Sequence, residues 1–220
     1  MLIQSPQCTC CGQMFAGREG PDHLCGACSR HIWQFGRARA AAVFAESLAA
    51  LVHHLKYSCR TGLARPLGRL MLTRLREYWN PDDFDALVPI PLHPRRLRER
   101  GFNQSALLLR SWVKIEAKVP AGLNERLVMP GLLERRKPTT SQTGLGRRER
   151  GANLKNAFRV PRGTTVAGFK VLLVDDVFTT GATANECART LLKAGARSVD
   201  VFTLARTQME YGTRKHGKTI

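Results

Sequence analysis

Residues 171 to 183 read VLLVDDVFTTGAT, and this segment limits the possible folds more than any other in the chain. Val171 to Val174 is a continuous apolar run, the pattern of a strand covered on both faces. Asp175 and Asp176 follow at its C-terminal end, then Val177, Phe178, Thr179, Thr180, Gly181, Ala182 and Thr183, where a helix is expected to begin. In open parallel sheets, ligands sit beyond the carboxyl ends of the strands. A helix N-terminus offers unpaired backbone N–H groups and a partial positive charge. The threonine hydroxyls add donors, and Gly181 lets the backbone curl close to an anion. The loop Thr179, Thr180, Gly181, Ala182, Thr183 therefore suits a terminal phosphate. Asp175 and Asp176 suit the vicinal hydroxyls of a sugar on that phosphate, or a water-bridged Mg²⁺.

Two other readings compete. LLVDD also opens the receiver domains of response regulators, which need roughly a hundred further residues of alternating strand and helix. Only 44 residues follow Asp176. A plain strand-turn-helix without a ligand would leave adjacent carboxylates repelling one another at a buried strand end.

The rest of the chain supplies a matching frame. Val43, Ser47, Ala50, Leu51, His54 and Leu55 recur at helical spacing, so a long helical region is expected after residue 36. Gly62 to Trp79 reads as a second helix, ended by Asn80-Pro81. Ala86 to Ile90 is a short apolar run with strand character, and a helix is expected from Asn103 to Glu116. Leu127-Val128 suits a short strand, Gly168 to Asp175 a strand, Ala182 to Ala194 a helix, and Ser198 to Ala205 a strand. Alternation of this kind argues for an α/β fold with a mostly parallel sheet flanked by helices. With 43% hydrophobic and 24% charged residues, the chain is globular rather than disordered. The N-terminus lacks a signal-peptide pattern, and the most apolar stretch, Ala38 to Leu55, is broken by Arg39, Glu46, His53 and His54. A cytoplasmic protein with no membrane span is the expectation.

The formal net charge of +18 implies anionic partners, and it is concentrated in two segments. The first follows the strand at 86–90 and carries Arg95, Arg96, Arg98 and Arg100 in what reads as a loop. Arginine suits forked hydrogen bonding to phosphate, so this loop could hold pyrophosphate; a solvated basic turn is the alternative. The second, within 131–150, carries Arg135, Arg136, Lys137, Arg147, Arg148 and Arg150 around Thr139, Thr140, Ser141 and Gln142. A lid over a phosphorylated ligand needs such a composition, with Arg136, Gln142 and Arg150 as candidate contacts. A disordered surface loop would share it.

Residues 1–36 are too few to hold an apolar core without a staple. Cys8 and Cys11 form one CxxC unit and Cys25 and Cys28 another, with 13 residues between Cys11 and Cys25. Two such turns can supply four thiolates to a structural Zn²⁺, with Gly12 suiting the first knuckle. A redox dithiol and unligated thiols remain open, and His23 could substitute as a ligand. Cys10 intrudes inside the first unit; Cys187 falls on the apolar side of its helix and reads as core.

The segment VLLVDDVFTTGAT resembles the phosphoribosyl pyrophosphate signature of type I phosphoribosyltransferases. That resemblance assigns the ribose to Asp175 and Asp176 and its 5-phosphate to Thr179–Thr183. The wider order is CxxC pairs, LKY (55–57), VPIPL (88–92), RGFNQ (100–104), KPTTSQTGL (137–145), RxxN (150–153) and NAF (156–158). Over nearly the whole chain this resembles the ComF family, which is associated with natural transformation and the handling of single-stranded DNA. The resemblance implies a type I phosphoribosyltransferase-like domain at 37–220 behind a zinc-ribbon-like unit at 1–36. It also implies phosphoribosyl pyrophosphate with Mg²⁺ as ligand, and single-stranded DNA and other DNA-uptake proteins as partners. Two functions stay open: a glycosyltransferase acting on phosphoribosyl pyrophosphate, including one in nucleotide metabolism with no DNA role, or a binding protein using the same pocket as a sensor. No catalytic residue is singled out.

Overall fold

The computed structural model describes residues 1–17, 19–30, 33–58, 60–116, 125–137 and 154–208. Its frame is a four-stranded parallel sheet of β1 (Ala38–Val43), β2 (Ala86–Pro89), β5 (Lys170–Phe178) and β6 (Ser198–Arg206), in the order β1-β6-β5-β2. A small antiparallel pair, β3 (Glu134–Arg135) with β4 (Phe158–Arg159), stands apart. The helices are α1 (Glu46–Tyr57), α2 (Ala64–Leu75), α3 (Pro94–Arg100), α4 (Gln104–Glu116) and α5 (Ala182–Lys193). The α/β class with a parallel sheet flanked by helices is thus observed.

Strand alternation divides the core in two. Leu172 and Val174 of β5 and Phe202 and Leu204 of β6 join Leu55 of α1, Met71 and Leu75 of α2 and Trp112 of α4 on one face. Val171, Leu173, Val199 and Val201 join Cys187 and Leu191 of α5 on the other. Both faces are covered, so the strands read as unbroken apolar runs. Trp112 and Phe158 are core residues.

Several local expectations need correction. Residues 38–43 form β1 and not the start of a helix. Alanine favours helix, but all six residues are buried and pair in parallel with β6, so tertiary context overrides propensity. The Arg95–Arg100 segment is a helix and not a loop. His93 Nδ1 accepts from the Arg95 N–H at 3.2 Å, Pro94 takes the first turn, and Gly101 closes the helix at φ 80°. Leu127-Val128 is no strand: Glu125–Leu127 is a 3₁₀ turn, and Val128 makes an isolated bridge to Leu87. Most of the proposed lid, including Gln142, Arg147, Arg148 and Arg150, lies outside the described residues.

Candidate functional site

The strand β5 runs three residues further than sequence suggested, and that extension opens the site. Its pairing with β2 ends at Val174 and Pro89, with a last bond from the Ile90 N–H to the Val174 carbonyl. Its pairing with β6 continues to Phe178 and Arg206. Among the described residues, Asp175 and Asp176 therefore stand on a ledge paired on one side, with β6. A cleft of about 510 Å³ opens there, bounded by Asp175, Asp176, the loop after β5, Lys56, Arg96, Gln104 and Arg135 among others.

Alternation sends the two carboxylates to opposite faces of the sheet. Asp176 shares the face of α1 and is buried, and Lys56 Nζ lies 2.5 Å from its Oδ2. Asp175 Oδ1 accepts from the Ser105 hydroxyl at 2.8 Å and from the Asp176 N–H at 2.9 Å. Burial and the Asp176 charge push the Asp175 carboxyl up to about 7, against the opposing pull of Ser105 and Lys56.

Ser105 is held by its own helix start. Asn103 Oδ1 accepts from the Ser105 N–H at 2.9 Å and Asn103 Nδ2 donates to the Ile90 carbonyl at 3.0 Å, which fixes α4 to the end of β2. One residue on, Gln104 Oε1 accepts from Arg100 at 2.6 Å, and Arg100 lies 5.2 Å over the exposed Tyr57 ring. The segments LKY and RGFNQ, distant in sequence, thus meet at the acidic ledge. Lys56, Gln104 and Ser105 were missed as site residues. The sequence signal for Lys56 and Gln104 was membership of those two short segments, and Ser105 directly follows the second.

The loop after β5 turns through Gly181 at φ 79° into α5. Thr179, Gly181, Ala182 and Thr183 border the cleft, whereas Thr180 Oγ1 accepts loosely from the Ala182 N–H at 3.4 Å. A Cβ on Gly181 would lie 2.7 Å from Phe178 Cζ and 3.1 Å from the Trp33 ring, so only glycine fits the turn.

The basic candidates separate by geometry. Arg96 borders the cleft, while Arg95 is exposed and pairs with Glu99 at 2.9 Å, and Arg98 is exposed. Arg135 borders the cleft and stacks 5.4 Å over Phe158, whereas its strand neighbour Arg136 is exposed. Burial lowers the proton affinity of the Arg135 guanidinium, and the nearby Arg96 charge adds to this.

The four cysteines of the CxxC units converge. The sulfurs of Cys8, Cys11, Cys25 and Cys28 all lie within 4.8 Å of one another. The N–H groups of Cys25 and Cys11 point at Cys8 Sγ at 3.3 and 3.5 Å, Trp33 Nε1 at Cys28 Sγ at 3.2 Å, and Arg206 at Cys11 Sγ at 3.5 Å. Four clustered sulfurs with N–H donors aimed at three of them suit thiolates around one metal ion such as Zn²⁺. His23 is outside this group; its ring stacks on Phe15 at 3.9 Å. Cys10 is outside it as well, and its carbonyl accepts from the Ala38 N–H at the start of β1.

No family model matches the chain. Individual proteins do. DNA utilization protein YhgH of Escherichia coli K12 is 37% identical over 192 residues, covering 84% of this chain and 79% of that protein. Competence protein F of Haemophilus influenzae is 32% identical over 189 residues, 83% of this chain and 78% of that protein. Competence protein ComFC of Streptococcus pneumoniae is 38% identical over 119 residues, 54% of this chain and 47% of that protein. At this identity and coverage, the chain belongs to the ComF family, with competence protein F and YhgH among its relatives.

Proposed function

We propose that the chain serves in the use of incoming DNA, as the names of its relatives suggest, through a cleft that grips phosphoribosyl pyrophosphate with Mg²⁺. The observation that carries this reading is the polarity of the cleft. One cleft is bounded by the acidic ledge Asp175 and Asp176, by a helix N-terminus and by Arg96 and Arg135. That combination suits a sugar that carries phosphate groups. Thr179, Gly181, Ala182 and Thr183 would take the 5-phosphate, the two carboxylates the ribose hydroxyls, and the arginines the pyrophosphate. Bound Mg²⁺ would neutralise part of the pyrophosphate charge. Lys56 and Ser105 would keep the carboxylates aimed at the sugar. Zn²⁺ in the four-cysteine cluster would be structural, since four protein sulfurs leave no open position. In this reading residues 1–36 form the zinc-binding unit and 37–220 the phosphoribosyltransferase-like domain, in the cytoplasm. Among the described residues no helix is long and apolar enough to cross a membrane.

An enzyme of this design breaks the bond between ribose C1 and pyrophosphate while an acceptor attacks C1. Positive charge develops on the sugar, so ribose placement and charge stabilisation do the work. A sensor would bind and release the ligand intact. Phosphoribosyl pyrophosphate with Mg²⁺ should raise the melting temperature by about 2.7 kcal/mol worth of stabilisation at a hundredfold excess over Kd. Joint replacement Asp175→Asn and Asp176→Asn should abolish the shift; an unchanged shift would put the ligand elsewhere. Pyrophosphate release in the presence of an acceptor pool would identify the enzyme, and tight binding without release the sensor.

A further inference from the structure

The cysteine cluster and the phosphate loop lie back to back, and two side chains bridge them. Trp33 donates its indole N–H to Cys28 Sγ at 3.2 Å. The far edge of the same ring packs against Gly181, 3.1 Å from where a Cβ would stand. Trp33 also stacks on Phe35 at 5.0 Å, and Phe35 meets Phe178 edge-on at 6.0 Å. From the other side Arg206, the last residue of β6 and only 1% exposed, donates to the Cys11 carbonyl at 2.5 Å and approaches Cys11 Sγ. Its guanidinium lies 4.7 Å over the Phe178 ring. Phe178 is in turn the residue whose Cζ limits Gly181. A third tie runs past the cluster: the Gln34 N–H donates to Asn185 Oδ1 in the first turn of α5 at 2.7 Å.

We infer that Trp33 and Arg206 are positioning residues that transmit the state of the four-cysteine cluster to the loop Thr179–Thr183. A metal-loaded cluster fixes the sulfurs, hence the indole and the guanidinium, hence the two rings that confine Gly181 and the start of α5. Loss of the metal frees both struts, and the loop loses the rings that confine Gly181. By linkage the coupling is reciprocal: an anion held on the loop must tighten metal retention by the same factor. The role of the loop as an anion site rests on the reading above; the mechanical coupling does not. A merely decorative metal unit would have no reason to spend a tryptophan and a buried arginine on this one turn.

Hydrogen exchange on the full-length, metal-loaded chain tests the inference. The variants are Trp33→Phe, which loses both the N–H···S bond and the Cζ3/Cη2 edge against Gly181, and Arg206→Lys, which keeps the charge but loses the guanidinium stack on Phe178, each checked for one metal per chain. Amides of residues 179–185 should exchange at least about fivefold faster in both variants, while those of α2, on the opposite face, stay unchanged. Chelation of the wild-type metal should reproduce that pattern in addition to loosening residues 1–36. In the Co²⁺-loaded wild type, inorganic phosphate should slow metal release to a chelator, and Trp33→Phe should remove that effect. Unchanged exchange at 179–185 in both variants with metal retained would overturn the coupling, even if phosphate still protects the loop. Faster exchange with no response to phosphate would sustain the coupling and refute the anion site instead. If one variant fails to fold, the other carries the same decision.

Discussion

Asp175 is the residue with the most consequence for its size. Its carboxyl is raised from 3.8 to about 7, chiefly by burial and then by Asp176. The folded chain therefore binds this proton more tightly than the unfolded chain. Between about pH 4 and pH 7 stability falls as pH rises, and above that window the cost is constant. Asp175→Asn retains an oxygen for the Ser105 hydroxyl and removes the charge. Its melting temperature at pH 8 should exceed the wild type by roughly 2–4 °C per kcal/mol relieved, with the gap closing towards pH 4. Thermal unfolding at pH 4, 6 and 8 decides this, and an equal gap at all three would refute the assignment. If the proposed sugar phosphate and its cation bind here, their affinity should rise with pH through about 7, because both prefer the ionised carboxylate. A site that stabilises the protein less when charged is a common cost of function.

At the scale of elements, the site depends on how closely α2 and α4 approach. A Cβ on Gly68 would stand 1.7 Å from Ser111 Oγ and 3.2 Å from the Leu108 carbonyl, so the helices cross at van der Waals contact of bare backbone. Gly68→Ala should force them apart at a cost of about 1–3 kcal/mol, despite the better helix propensity of alanine. The urea midpoint measures it; a stabilised variant would show that the crossing yields freely. Because α4 carries Ser105 and Gln104, the same change should weaken ligand binding from a distance. Periodicity made α2, α4, α5 and the strands β2, β5 and β6 legible, with boundaries within a few residues. It failed for β1, whose alanines carry no strand pattern, and for α3, where an arginine run hid the Pro94 and Gly101 signals.

For the whole molecule, the +18 charge is the least specific feature. The structure separates arginines committed to the cleft, Arg96 and Arg135, from exposed ones such as Arg98 and Arg136. If the exposed set meets single-stranded DNA, replacing Arg136 and Lys137 with alanine should reduce the salt slope of oligonucleotide binding by up to about 1.4. Affinity for phosphoribosyl pyrophosphate should stay as it was. Salt-titrated anisotropy reads the first and calorimetry the second; an unchanged slope would assign these side chains to solvent alone. The first 36 residues are also bound into the whole. Arg39 of β1 donates to the Thr9 carbonyl at 3.0 Å, Arg206 reaches Gln13 Oε1 at 3.1 Å, and Gln13 Nε2 donates to Gln208 at 2.7 Å.

What the sequence determined by itself is local. The turn VFTTGAT, the two CxxC spacings and the apolar runs each encode their structure within about ten residues, where hydrogen bonding, glycine freedom and side-chain period act. The tertiary structure alone decided that β5 outruns β2, that Lys56 faces Asp176 and that Ser105 faces Asp175. It alone singled out Arg96 and Arg135 among many arginines, and put Trp33 and Arg206 between the cysteines and the loop. Those outcomes depend on which faces dock across the sheet, a long-range packing choice that no short window of sequence contains.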